Sequence, residues 1–149
     1  MTGNADNKQK YINYKEQAIR LKKALRQGFY IEAIAIEYAI MEDRLESILR
    51  HEGVFNPNKH GSLARKLSRV KDLSRRKGSL ERKYFSEEFF QAIDEWMKDR
   101  NALIHALLKQ SLTTDEIQGV AEKGNELVRK LLSKATSIRR QLERMKENV

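Results

Sequence analysis

The stretch IEAIAIEYAIMEDRLESIL, residues 31–49, decides the fold. A helix with one apolar stripe lies on a surface, whereas a helix apolar nearly all round is enclosed by others. The first ten residues of this stretch are of the second kind, so a helix from roughly Phe29 to His51 is expected at the centre of a bundle. Gly53 suits the left-handed position after its end, and Asn56-Pro57-Asn58 prevents it from resuming. No segment alternates with a period of two, and one proline and seven glycines are few interruptions for 149 residues.

Outward from this centre, four more helices can be read. Before it, about Lys8 to Gln27 carries Tyr11, Tyr14, Ala18, Leu21 and Leu25 at helical spacing, and Gly28 separates the two. After it, Ser62 opens a short helix with Leu63, Leu67, Val70 and Leu73 inside and Arg65, Lys66, Arg69 and Lys71 outside. The following SRRKGSLERKY, residues 74–84, reads as a basic, glycine-broken linker. Ser86 then caps a fourth helix, with Glu87 and Glu88 where the dipole favours anions. Thr113 and Glu116 form a capping box for a fifth, which continues to about Lys146 with Ile117, Val120, Leu127, Leu131, Ala135, Ile138, Leu142 and Met145 on one stripe. The expected fold is all-α: a single domain over residues 1–149, an up-and-down bundle of four to five helices with a long C-terminal one.

Composition narrows the chemistry. No apolar run approaches the length of about 18 residues that a membrane span needs, and the polar start MTGNADNKQK lacks an apolar signal core. Without cysteines there are no disulfides or thiolate metal sites, and a cytoplasmic location is expected. There is no HExxH, no helical pairing of His with carboxylates and no phosphate-cradling glycine loop, so neither a metal nor another cofactor is expected. The net charge of +9 is unevenly spread. Residues 63–83 hold nine Lys/Arg against Asp72 and Glu81, while residues 30–52 hold six acids against Arg44 and Arg50. A concentrated basic segment suits phosphates, and Arg75, Arg76, Lys77, Arg82 and Lys83 are the candidates for gripping an RNA backbone; a solubilising basic loop is the plainer alternative.

The fourth helix poses the sharper question. In FFQAIDEWMKDRNALIHALL, residues 89–108, Phe89, Trp96, Met97, Ile104, Leu107 and Leu108 fall within about 60° of Ile93 at roughly 100° per residue. Arg100 falls about 20° from the centre of that stripe, while Asn101 and His105 sit one above the other on its flank. A guanidinium stays charged, so Arg100 must pair with a carboxylate such as Glu37 or Glu42, reach solvent, or line a cleft. In a cleft, Arg100 can stabilise charge on a phosphoryl centre, His105 can move a proton, and Asn101 can orient either. That set suits metal-free RNA cleavage by the substrate's own 2′-hydroxyl, leaving a 2′,3′-cyclic phosphate and a 5′-hydroxyl. Such a reaction gains from a base and an acid, and a two-fold dimer supplies two copies of the single histidine. Elsewhere, His51 suits the carbonyls at a helix end, His60 a solvated loop, and Trp96, Phe89 and Phe90 the core.

Arg100-Asn101-Ala102-Leu103-Ile104-His105 resembles the Arg-x4-His motif of the HEPN domains (higher eukaryotes and prokaryotes nucleotide-binding), with Asn101 in the polar place. The likeness extends to the acidic helix ending EYAIMEDRLESIL and to the helix order, and so to most of the chain. It implies a compact helical bundle, metal-independent endoribonuclease activity through Arg100, Asn101 and His105, and a homodimer with the motif at its interface. It also implies a place in toxin–antitoxin or phage-defence systems, with a cognate antitoxin protein as partner. Some members of the family that pair with nucleotidyltransferase antitoxins carry Tyr two residues past the histidine, where this chain has Leu107, so the resemblance does not extend to that partnership. Two rival readings stand beside the nuclease: a non-catalytic HEPN-like module binding protein or nucleic acid, and a structural adaptor with Arg100 paired internally.

Overall fold

The computed structural model describes residues 3–109 and 112–148, with side chains from residue 13 onward. It consists of six helices: α1 (Gly3–Gln27), α2 (Tyr30–His51), α3 (Leu63–Ser74), α4 (Leu80–Tyr84), α5 (Glu87–Leu108) and α6 (Thr114–Glu147). No strand occurs among the described residues. This is an all-α bundle, as the apolar periodicity requires. No helix among the described residues is long and apolar enough to cross a membrane.

Helix α2 is the centre, packing on α1, α3 and above all α6. Ala33, Ile34, Ile36, Ile40, Met41, Leu45, Ile48 and Leu49 are all buried, which needs neighbours on several sides. It ends as the glycine predicts. Gly53, at φ 75°, donates to Arg50 O at 3.1 Å, and Val54 donates to Leu49 O at 3.0 Å, closing the carbonyls a helix end leaves open. Gly28, at φ 78°, makes the same closure between α1 and α2, with Phe29 N donating to Ala24 O at 2.8 Å. The α1 stripe is narrower than its sequence suggests: Leu21 and Ala24 are buried but Ala18 is exposed, and Tyr11 lies outside the described side chains.

The remaining caps follow the sequence. The Ser62, Ser86 and Thr113 hydroxyls accept from Arg65, Phe89 and Glu116 amides, and Glu116 completes the capping box. The linker over residues 74–84 differs from expectation. Ser79 caps one further turn, α4, whose Glu81 is fully buried. Five residues are too few to show a helical period, so the basic composition masked the turn.

Helices α5 and α6 are antiparallel. Trp96 Nε1 donates to Val120 O at 3.0 Å, while Lys134, about four turns further along α6, lies over the Phe89 ring at 4.9 Å. Since α6 begins at Thr114, only six of its residues precede Val120, whereas twelve residues of α5 follow Trp96. The end of α5 therefore overhangs its partner. Ile104, Leu107 and Leu108 share the stripe of the buried Ile93, yet they are 40%, 37% and 83% exposed. Periodicity identifies a face; it does not say where the covering helix stops.

Candidate functional site

Arg100, Asn101 and His105 all lie on the last turns of α5, close to this overhang. Arg100 is half-buried. Its Cζ sits 3.9 Å from the centre of the Tyr38 ring of α2, and Nη1 donates to Asn101 Oδ1 at 3.3 Å. Its Nε is buried and has no hydrogen-bond partner among the described residues. No carboxylate there forms an ion pair with it, so the internal pair with Glu37 or Glu42 is absent. Glu42 instead accepts from Lys66 at 3.1 Å. Glu37 turns toward α6, where a Cβ at Gly124 would meet its Oε1 at 2.2 Å and Trp96 Nε1 at 2.8 Å. Burial pushes the Glu37 carboxyl from 4.5 to about 9, so at neutral pH it holds its proton and adds no negative charge to this region.

Asn101 and His105 are exposed and one helical turn apart on the same flank, within reach of one ligand. Arg100 and His105 leave the helix about 140° apart, and the Arg100 guanidinium reaches the Asn101 amide on the flank that His105 shares. His105 makes no hydrogen bond, ion pair or ring contact among the described residues. A recess of about 470 Å³ on the side of α5 facing α6 takes in Asp99, Leu103, Asp115 and Glu116 but not Arg100, Asn101 or His105.

The basic candidates form a separate group. Arg75 and Arg82 line a recess of about 380 Å³ with Ser74, Phe85 and Glu87, so the structure brings α3, α4 and the start of α5 together there. Arg75 is paired with Asp72 at 3.3 Å, and Lys83 lies over the Tyr84 ring at 5.3 Å. Arg76, Lys77, Arg82 and Lys83 make no ion pair among the described residues, and all four are exposed. Glu81, set among them, is pushed up to about 8 by burial first and by the neighbouring Glu52 carboxyl second. Largely protonated at neutral pH, it leaves the cluster more positive than the sequence count implies. From Glu87 to Arg100 is thirteen residues, about 20 Å of helix. The cluster and the motif thus occupy opposite ends of α5.

Three expectations change. Lys66 is not on the outer face: it is buried, paired with Glu42 and with Glu46 at 3.5 Å. Lys71, also expected outside, is half-buried and paired with Asp94. His60 is not a free loop residue, since its Nδ1 accepts from Asn56 N at 3.0 Å and its ring tilts onto Phe55. His51 behaves as read, with Nδ1 2.8 Å from Ser47 O, and Phe89, Phe90 and Trp96 are core. Sequence reasoning passed over Tyr38, the ring beneath Arg100. Its only signal was an aromatic residue within an acidic central helix, which does not reveal a partner 62 positions away. Comparison of this chain with protein-family models, curated proteins and solved structures gives no match.

Proposed function

We propose that this chain is a metal-independent endoribonuclease of the HEPN type that works as a two-fold dimer. The carrying observation is Arg100: a permanently charged group, half-buried and held on a ring, with no carboxylate paired to it among the described residues. A structural ion pair would have consumed that charge, whereas a phosphodiester can still use it. Asn101 and His105, one and five residues further along the same helix, are both exposed.

In the proposed reaction one copy of His105 takes the proton from the RNA 2′-hydroxyl as that oxygen attacks the adjacent phosphorus. The second copy gives a proton to the departing 5′-oxygen. A 2′,3′-cyclic phosphate and a 5′-hydroxyl result, and Arg100 offsets the charge that builds on the phosphoryl oxygens. The motif holds a single histidine, while the reaction needs both a base and an acid, which favours a site shared by two copies. Ile104, Leu107 and Leu108 offer the apolar surface for that contact. Arg76, Lys77, Arg82 and Lys83, with Arg75, would hold the RNA backbone away from the cut. A role as toxin or defence component, held in check by a cognate antitoxin, belongs to the same proposal.

The experiment is cleavage of total RNA with EDTA present, comparing the wild type with Arg100→Ala and His105→Ala at matched folding. Both changes are expected to abolish products ending in cyclic phosphate; equal cutting by the variants removes the assignment. A non-catalytic binding module is favoured by one observation, that no hydrogen bond among the described residues fixes the His105 tautomer. It predicts stoichiometric RNA or protein binding that survives His105→Ala, and no cyclic-phosphate ends.

A further inference from the structure

An arginine that must meet a phosphate has two requirements in tension. Its long side chain has many rotamers and has to be held still. The commonest holder is a carboxylate, which cancels the charge the phosphate needs. Arg100 is held differently. The Tyr38 ring covers its guanidinium at 3.9 Å, and Asn101 Oδ1 takes one Nη1 hydrogen at 3.3 Å. The inner nitrogen, Nε, is buried without an acceptor among the described residues, so no hydrogen bond fixes that end, and the ring contact is made by the adjoining Cζ. The two acids of α2 nearest Tyr38 in sequence on either side point elsewhere: Glu37 toward Gly124 and Glu42 to Lys66. An aromatic face orients a cation through its quadrupole without neutralising it, and does so more strongly when water is partly excluded.

We infer that Tyr38 is a positioning residue of the proposed ribonuclease site, holding the Arg100 guanidinium so that its Nη edge stays charged and free for an RNA phosphodiester oxygen. The inference rests on the ribonuclease proposal. It assigns the function to the ring and not to the phenol hydroxyl, which makes no hydrogen bond to Arg100. Phenylalanine should therefore serve, and a side chain of similar bulk with no electron-rich face should not.

The test uses the full chain and a 5′-fluorescein-labelled RNA oligonucleotide in EDTA, with kcat and KM measured separately for four variants. Tyr38→Phe is expected within about twofold of wild type in both constants. Tyr38→Leu is expected to lower kcat by about ten- to a hundredfold with KM within about threefold, the signature of a misplaced charge. Pentafluorophenylalanine at position 38 keeps the ring volume and reverses its quadrupole, so it should fall with Leu even where Leu loosens the fold. Arg100→Ala should be inactive. As a readout independent of turnover, the Arg100 Nε–Hε NMR resonance should show a ring-current shift in wild type and Tyr38→Phe and lose it in Tyr38→Leu. Full kcat in the fluorinated variant, with Arg100→Ala dead, overturns the role of Tyr38 and leaves the nuclease intact. Absence of cleavage by wild type, or cleavage undiminished in Arg100→Ala, removes the nuclease and the inference with it.

Discussion

A carboxyl at Glu37, fully buried and with neither oxygen hydrogen-bonded among the described residues, can stay in the core only by keeping its proton. Its value of about 9 against the ordinary 4.5 has a definite consequence for stability. Below about 4.5 the folded and unfolded states are both protonated and the group is neutral in the balance. Between about 4.5 and about 9 the folded chain retains a proton that the unfolded chain has released, so stability declines as pH rises, by up to about 1.4 kcal/mol per pH unit. Glu81, at about 8, acts with the same sign over a slightly shorter range. Glu37→Gln, neutral at every pH, should therefore be more stable than wild type at pH 8, close to it near pH 5, and flatter between. Urea unfolding at three pH values checks this; parallel curves for the two proteins would show that Glu37 is ionised in the fold. Gly124 belongs to the same site, since the missing Cβ is what admits the Glu37 carboxyl beside the Trp96 indole.

At the scale of the helix, α3 shows what spacing reveals and what composition hides. Lys66 lies between Leu63, Leu67 and Val70 on the face that packs on α2, so its helical position marked it as inward; its charge argued for the outside and was the wrong guide. The acids that admit it, Glu42 and Glu46, stand on another helix and were visible only as a local negative surplus. Lys66→Met keeps the stem and lets the two carboxylates, 34% and 26% exposed, regain water, so its cost should stay within about 1 kcal/mol. Lys66→Ala also empties the buried stem and should cost about 2 kcal/mol more, as read from chemical unfolding. An alanine variant as stable as wild type would place that side chain in solvent. The caps, the central helix and the long α6 were legible because each depends on residues within a few positions of one another. Helix α4 was not, being shorter than two turns and written in the residues of a loop.

The whole molecule adds what neither residue nor helix carries. The polar break in α5 was legible as a position, but the meaning of Arg100 depends on Tyr38 and on the lack of a paired acid among the described residues, both products of how α2 and α5 meet. The overhang of α5 past α6 is likewise tertiary, and it leaves Arg100, Ile104, Leu107 and Leu108 on one helical face. If that face is the seam of a two-fold dimer, each copy of Arg100 lies beside the contact and the two motifs are brought within one site. Leu108, at 83% exposed, makes almost no contribution to the protomer's own core, so Leu108→Lys should leave unfolding within about 0.5 kcal/mol of wild type. In the assembly the same change sets a like charge on each side of the seam, close to two arginines, and should drive the protein to monomer. Sedimentation equilibrium at micromolar concentration, run beside the EDTA cleavage assay, should then show mass and activity falling together, with activity of the wild type declining more than in proportion on dilution. A Leu108→Lys monomer that still cuts at the wild-type rate would confine the chemistry to a single chain, and His105 would then need a second acid–base group from within it.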